Sequence, residues 1–212
     1  MRSVFILIVL TLPLMGIAQL HLAAGDGVLN VDLVRKPVLP FYNDTTDGGA
    51  AKIIRIETDS TGELKLFSAI PVAEWLDPEQ FFPAYDIFTL RVDTIAGKWM
   101  RIFVNNGKGH TMWLMSAQGM TFIPWSIHFA KHTSAVEVVE GIVLTIHAAA
   151  SDKSALIRRT MPGDCFKVRT VKGDWMQVET APDCNNNAKQ IRSGWIRWKR
   201  DNNILVTYSS IA

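Results

Sequence analysis

His128 and His132 stand four residues apart, the spacing that puts two imidazoles on one face of a helix. His110 and His147 supply further candidate ligands for a zinc ion. No glutamate adjoins them in the His-Glu-x-x-His arrangement of zinc proteases. The alternative is that they are ordinary packed or surface histidines, His128 following directly on a strand. A serine hydrolase of the elbow type would need Gly-x-Ser-x-Gly, which does not occur. Asn43-Asp-Thr and Asn105-Asn-Gly lack the carboxylate density of a calcium loop. The two cysteines, Cys165 and Cys184, form no metal-binding motif. These residues predict no catalysis, no metal and no cofactor. The rival is a small hydrolase of the cell envelope with a site between two domains, around His110, His128 and His132.

A more promising chemistry is aromatic. In a strand, side chains alternate between two faces. Met176 and Val178 therefore share one face, and Trp175 and Gln177 the other. Met100 and Ile102 likewise oppose Trp99 and Arg101, and Ile196 opposes Trp195 and Arg197. The polar companions mark the tryptophan face as the wetter one. Trp99, Trp113, Trp175 and Trp195, with Arg197, are the candidate ligand-binding residues of an aromatic platform. The other arrangement open to them is cover by each domain's long first loop or by the other domain.

Two hairpins must position those tryptophans. Leu90–Ile102 and Phe166–Val178 are related by an offset of 76, with threonine, glycine, tryptophan and methionine identical at Thr94/Thr170, Gly97/Gly173, Trp99/Trp175 and Met100/Met176. Each alternates as a strand, turns at Ala-Gly or Lys-Gly, and alternates again. The match extends outwards. Met112-Trp113-Leu114 aligns with Gly194-Trp195-Ile196, Thr121–Trp125 with Ile204–Tyr208, and Val38–Tyr42 with Val143–His147, at offsets of 82, 83 and 105. This predicts a duplicated unit in which Trp99 lands on Trp175 and Trp125 on Tyr208.

These residues resemble the bacterial SH3-type domain of cell-envelope proteins. Its Gly-x-Trp, followed by Val and later by Gly-Trp-Val, is matched by Gly173-Asp-Trp175-Met-Gln-Val178 and Gly194-Trp195-Ile196. The first copy, Gly97-Lys-Trp99 with Met112-Trp113-Leu114, has methionine where the second glycine belongs. The resemblance spans roughly residues 36–130 and 138–212. It implies an all-β chain of two tandem small SH3-like β-barrels, the first with a long loop insertion. It also implies a non-catalytic binding module for cell-wall peptide, peptidoglycan or an envelope protein partner.

Residues 1–18 read as an export signal: Arg2, an apolar run from Val4 to Leu14, and the small-x-small site Gly16-Ile17-Ala18. Gln19 and His21 cut the run short of the ~20 apolar residues that a membrane span needs. Cleavage there leaves 21 basic and 20 acidic side chains, Arg2 having gone with the signal. That balance steers the chain to neither nucleic acid nor an anionic membrane. A periplasmic or secreted location follows. The domains are then 26–130, with a weakly alternating edge strand from Asp26 to Val34, and 131–212. The insertion, residues 43 to about 80, carries a hairpin over residues 52–67 and one helical turn at Asp77-Pro78-Glu79. Elsewhere no sustained helical periodicity appears.

Export also predicts a disulfide between Cys165 and Cys184, since two cysteines in a secreted chain usually pair. With Lys172-Gly173 as the turn, Cys165 faces Thr180, only four residues before Cys184. The loop from Ala181 to Ile191 can then fold back to close the bridge.

Overall fold

The computed structural model describes residues 22–35, 37–105, 108–181 and 191–210. The residues read as an export signal, and Cys184, lie outside them. In chain order the first half carries β1 (Gly27–Val31), β2 (Leu39–Tyr42), β3 (Lys52–Thr58), β4 (Leu64–Phe67), β5 (Gln80–Phe82), β6 (Ile87–Ala96), β7 (Trp99–Asn105), β8 (His110–Met115) and β9 (Met120–Pro124). One helix, α1 (Trp125–Lys131), follows. The second half carries β10 (Ala135–Val138), β11 (Thr145–His147), β12 (Leu156–Arg159), β13 (Cys165–Lys172), β14 (Trp175–Thr180), β15 (Gly194–Arg197), β16 (Lys199–Arg200), β17 (Asn203–Ile204) and β18 (Val206–Ser209). The chain is all-β with antiparallel sheets.

The two large sheets have one order. The first runs β4-β3-β2-β8-β7-β6-β1-β9, with β5 added beside β6, and the second runs β12-β11-β15-β14-β13-β10-β18. The registers repeat as well. Tyr42 pairs with Trp113 and His147 with Trp195; Arg101 pairs with Trp113 and Gln177 with Trp195. Each central hairpin has a bulge at the same place, between Val92 and Thr94 and between Val168 and Thr170. A bulge adds one residue to one strand and sharpens the local twist.

Several details differ from the sequence reading. The hairpin turns are Gly97-Lys98 and Gly173-Asp174, because the last pairs are Ala96 with Trp99 and Lys172 with Trp175. Gly97 and Gly173 have φ of 61° and 57°. Glycine at the first central position is what a type II′ turn needs. Thr180 therefore pairs with Phe166 rather than with Cys165. β1 is no edge strand: Leu29 pairs with Leu90 on one side and Phe122 on the other.

The counterpart of Tyr208 is Phe122, not Trp125. Leu29 faces Phe122 as Val136 faces Tyr208, while Leu29 and Val136 face Leu90 and Phe166. Trp125 instead opens α1, a helix too short for its periodicity to register. The insertion is also displaced. β3 has a counterpart in β12, since Phe41 pairs with Lys52 and Ile146 with Arg158. The extra residues thus fall between β3 and β6. They hold β4, single 3-10 turns at Val72–Glu74 and Pro83–Tyr85, and β5. No helical turn forms at Asp77, whose N–H donates instead to the Val104 carbonyl at 2.9 Å.

Packing follows strand parity. Leu29, Val31, Phe88, Leu90 and Val92 face a core inside the first sheet, closed by Trp75 edge-on to Phe41 at 5.2 Å. Val28 and Ile123, on the opposite face, join Trp125, Phe129 and the core of the second sheet. α1 is the plug between the sheets, with Trp125 stacked on Phe129 at 5.0 Å. The N-terminal lead-in is stitched across the same junction. Ala23 bridges Asn203, Ala24 N–H donates to Asn202 O at 2.6 Å, and Ile204 N–H to Leu22 O at 2.9 Å. A Cβ at Gly97 or Gly173 would meet nothing within 4 Å, so only backbone conformation opposes a side chain there. Gly97→Ala and Gly173→Ala should each lower the unfolding free energy by about 1–2 kcal/mol in denaturant titrations, without changing the fold by circular dichroism.

Candidate functional site

The aromatic faces repeat between the sheets. Tyr42 meets Trp99 edge-on at 5.2 Å, and their counterparts His147 and Trp175 meet edge-on at 5.4 Å. In the first sheet, Arg101 lies 5.6 Å over Trp113 and pairs with Asp93, the bulge residue. In the second, Arg197 lies 4.6 Å over Trp175 and bonds through two nitrogens to Asp152 of the β11–β12 loop. That pairing holds the Asp152 carboxyl below its usual value and the guanidinium above its own. Trp175 is only 8% exposed beneath this cap, whereas Trp99, Trp113 and Trp195 are half-buried. Arg197 comes from the neighbouring strand directly opposite Trp175, while Asp152, which anchors it, comes from a loop far away in sequence that strand parity does not reveal.

Cys165 is buried at the start of β13, opposite Glu137. Its carbonyl accepts from Ala181 N–H at 3.2 Å.

The structure divides the histidines. His147 lies 2.7 Å from Thr145 Oγ1 and 3.2 Å from the Ser154 carbonyl, and packs on Trp175. His110 begins β8 and is exposed. His128 of α1 and His132, which caps that helix, do come together, rings stacked at 6.2 Å. No group of three or more His, Cys, Asp or Glu spaced to hold a metal ion occurs among the described residues.

α1 places His128 over the outer face of the first sheet, and a cleft of about 650 Å³ opens there. Its floor is one row of polar side chains crossing four strands. Thr89 of β6 pairs with Gln80 of β5 on one side and Asn30 of β1 on the other, and Asn30 pairs with Thr121 of β9. Residues directly opposite in antiparallel strands share a face. This row therefore faces away from Leu29, Phe88 and Leu90 and towards α1. His128 forms the roof, and Ser210, just beyond β18, closes one end.

Hydrogen bonding around this cleft is incomplete. Asn30 Oδ1, Gln80 Oε1, Thr89 Oγ1, both ring nitrogens of His128 and Ser210 Oγ have no partner among the described residues. Native proteins pair the large majority of buried polar atoms. Six such atoms around one cleft are a concentration that packing alone does not require.

Beside the row sits a completed polar cluster. Arg91 Nε and Nη2 donate to the two Glu79 carboxylate oxygens at 2.7 and 2.6 Å, and Nη1 donates to the Ala23 carbonyl at 2.8 Å. Tyr208 Oη, from the second sheet, donates to Glu79 Oε1 at 2.9 Å. Burial, and then the Glu79 charge, raise the Tyr208 hydroxyl far above its usual value. The charges next to the cleft are thus already spent on one another.

A scan against protein-family models finds no match to this chain, and a comparison with curated proteins finds none either.

Burial, reinforced by neighbouring His132 and opposed by Glu79, lowers His128 from 6.5 to about 4. Between those values the unfolded chain binds a proton that the folded chain refuses. The contribution is complete above pH 6.5 and is lost as pH falls towards 4, by up to ~3 kcal/mol. Denaturant unfolding measured across that interval should show this slope, and His128→Leu should flatten it.

Proposed function

We propose that the chain is a non-catalytic binding module of the SH3-like kind, exported to the periplasm or beyond, which takes an envelope ligand in the cleft under α1. The observation that carries this reading is the set of six unpartnered polar atoms around one cavity. A buried donor or acceptor left unpaired costs about 1–3 kcal/mol. A ligand that completes those bonds recovers much of that cost as affinity. The cavity is also of ligand-binding size, since pockets run from about 300 to 1,000 Å³.

The geometry favours binding over the rival hydrolase. His110 does not line the cleft, so the three-histidine grouping does not assemble. Among the described residues no carboxylate orients His128 and no hydroxyl or thiol is hydrogen-bonded to it, because both of its nitrogens are unpartnered there. A general base in nucleophilic catalysis works between such a pair. The half-buried Trp99, Trp113 and Trp195 form a secondary contact surface in this reading, and Trp175 with Arg197 serves the fold.

Export carries the Cys165–Cys184 bridge with it. Mass spectrometry of the secreted protein, alkylated without reductant, should find neither cysteine labelled. Two labelled cysteines would remove the bridge.

The cleft itself is tested by Thr89→Val, which deletes one unpaired hydroxyl at nearly constant shape. Stability should rise by about 1–2 kcal/mol, while capture of the protein by purified cell-wall sacculi and envelope extract should fall. Unchanged capture would move the binding site elsewhere.

A further inference from the structure

We infer that the ligand of this cleft is an uncharged glycan segment bearing hydroxyl and acetamido groups, read side by side by the row Gln80–Thr89–Asn30–Thr121 with His128 above it. The inference rests on the cleft being the binding site and goes on to name what binds.

The charge of the ligand follows from what the cleft lacks. Arg91 is committed to Glu79 and Ala23, and Glu79 to Arg91 and Tyr208. At the rim, Arg35 pairs with Asp32 at 3.3 Å. Asp86 and His132 also line the cleft but are exposed and keep their water, so an ionised group brought onto the floor would shed its own water without gaining a buried counter-charge, which is strongly unfavourable. The floor offers only neutral groups.

Their hydrogen-bonding character narrows the class. Asn30 Oδ1 and Gln80 Oε1 are acceptors, while the Thr89 and Ser210 hydroxyls both donate and accept. Neutral His128 presents one donor and one acceptor nitrogen. Such a set suits groups that donate and accept at the same atom, as sugar hydroxyls do. The carboxamides of Asn30 and Gln80 match an acetamido group, donor to acceptor at both ends.

Strand addition by a peptide is excluded at the middle of this row; β5 and β9, at its ends, each pair on one side only, and a strand added there would run beside the row, not across it. β6 is already paired with β5 and β1, and β1 with β6 and β9. Backbone edges are what an added strand uses, and the row is a face. Neighbouring members of the row lie one strand apart, roughly 4.7–4.9 Å. A ligand lying along it must present groups at that interval, across the strands rather than beside one.

The test titrates the full exported chain with the trimer of N-acetylglucosamine, with the trimer of glucosamine, and with an acetylated, amidated tetrapeptide of alanine and leucine. The nuclear magnetic resonance signals of the Asn30 and Gln80 side-chain amides and of the His128 ring report the cleft. The acetylated trimer should shift all three sets and saturate. Thr121→Val, at an exposed position that leaves folding intact, and Thr89→Val should each weaken it roughly tenfold, the loss of one such hydrogen bond. Equal binding of the cationic glucosamine trimer, or binding of the peptide alone, would overturn the glycan assignment while leaving the cleft a binding site. If sacculi are captured and no probe shifts the cleft signals, the cleft reading fails together with the inference.

Discussion

The ion pair of Glu79 and Arg91 holds the molecule's two sheets in one relation. Both side chains are almost fully buried, 8% and 3% exposed. Removing two charges from water is costly, and the attraction between them offsets it only when geometry is good and the remaining donors and acceptors are used. Here they are used across the junction. Tyr208 arrives from β18 and the Ala23 carbonyl from the N-terminal lead-in, so neither carboxylate nor guanidinium is satisfied by the first sheet alone. Arg91 also lies 5.7 Å over the Trp125 ring, which fixes the start of α1. With α1 fixed, His128 has one position above Thr89, and the cleft has a shape.

The two sheets share a frame and differ at the site. Both sheets keep the strand order, the bulge and the aromatic edge contact. What changes is the outer face of the strands that correspond to β1 and β6. Asn30 opposite Thr89 becomes Glu137 opposite Cys165. Among the described residues, only the first sheet is followed by a helix that folds back over that face. The inserted residues between β3 and β6 then supply Glu79 to the buried pair and Gln80 to the polar row, so the insertion serves the junction as much as the first core.

The alternation in Leu90–Ile102 and Phe166–Val178, together with Gly-x-Trp, was enough to read both hairpins and their offset of 76. Positive φ requires glycine first in each turn, one residue from where alternation alone puts it, and the compensating bulge at Asp93 and Arg169 leaves no mark in the pattern. Trp125 reads as the end of a strand because its seven-residue helix is under two turns. The cleft was illegible for a different reason. Its members sit at 30, 80, 89, 121, 128 and 210, and each alone looks like a polar residue on a wet strand face or a histidine after a strand. Only the registers across β5, β6, β1 and β9 make them a row.

The stitching of Leu22–Ala24 to Asn202–Ile204 sets an order of events for a chain made from its N-terminus. The lead-in is made long before the residues that receive it. Until they arrive, Val28, Ile123 and Trp125 have no second core to enter, and the first sheet carries an uncovered apolar face. Joining segments so distant in sequence is also entropically slow. Assembly of the junction therefore waits on the hairpin of β16 and β17, and a nascent chain halted before it would present an uncovered apolar surface.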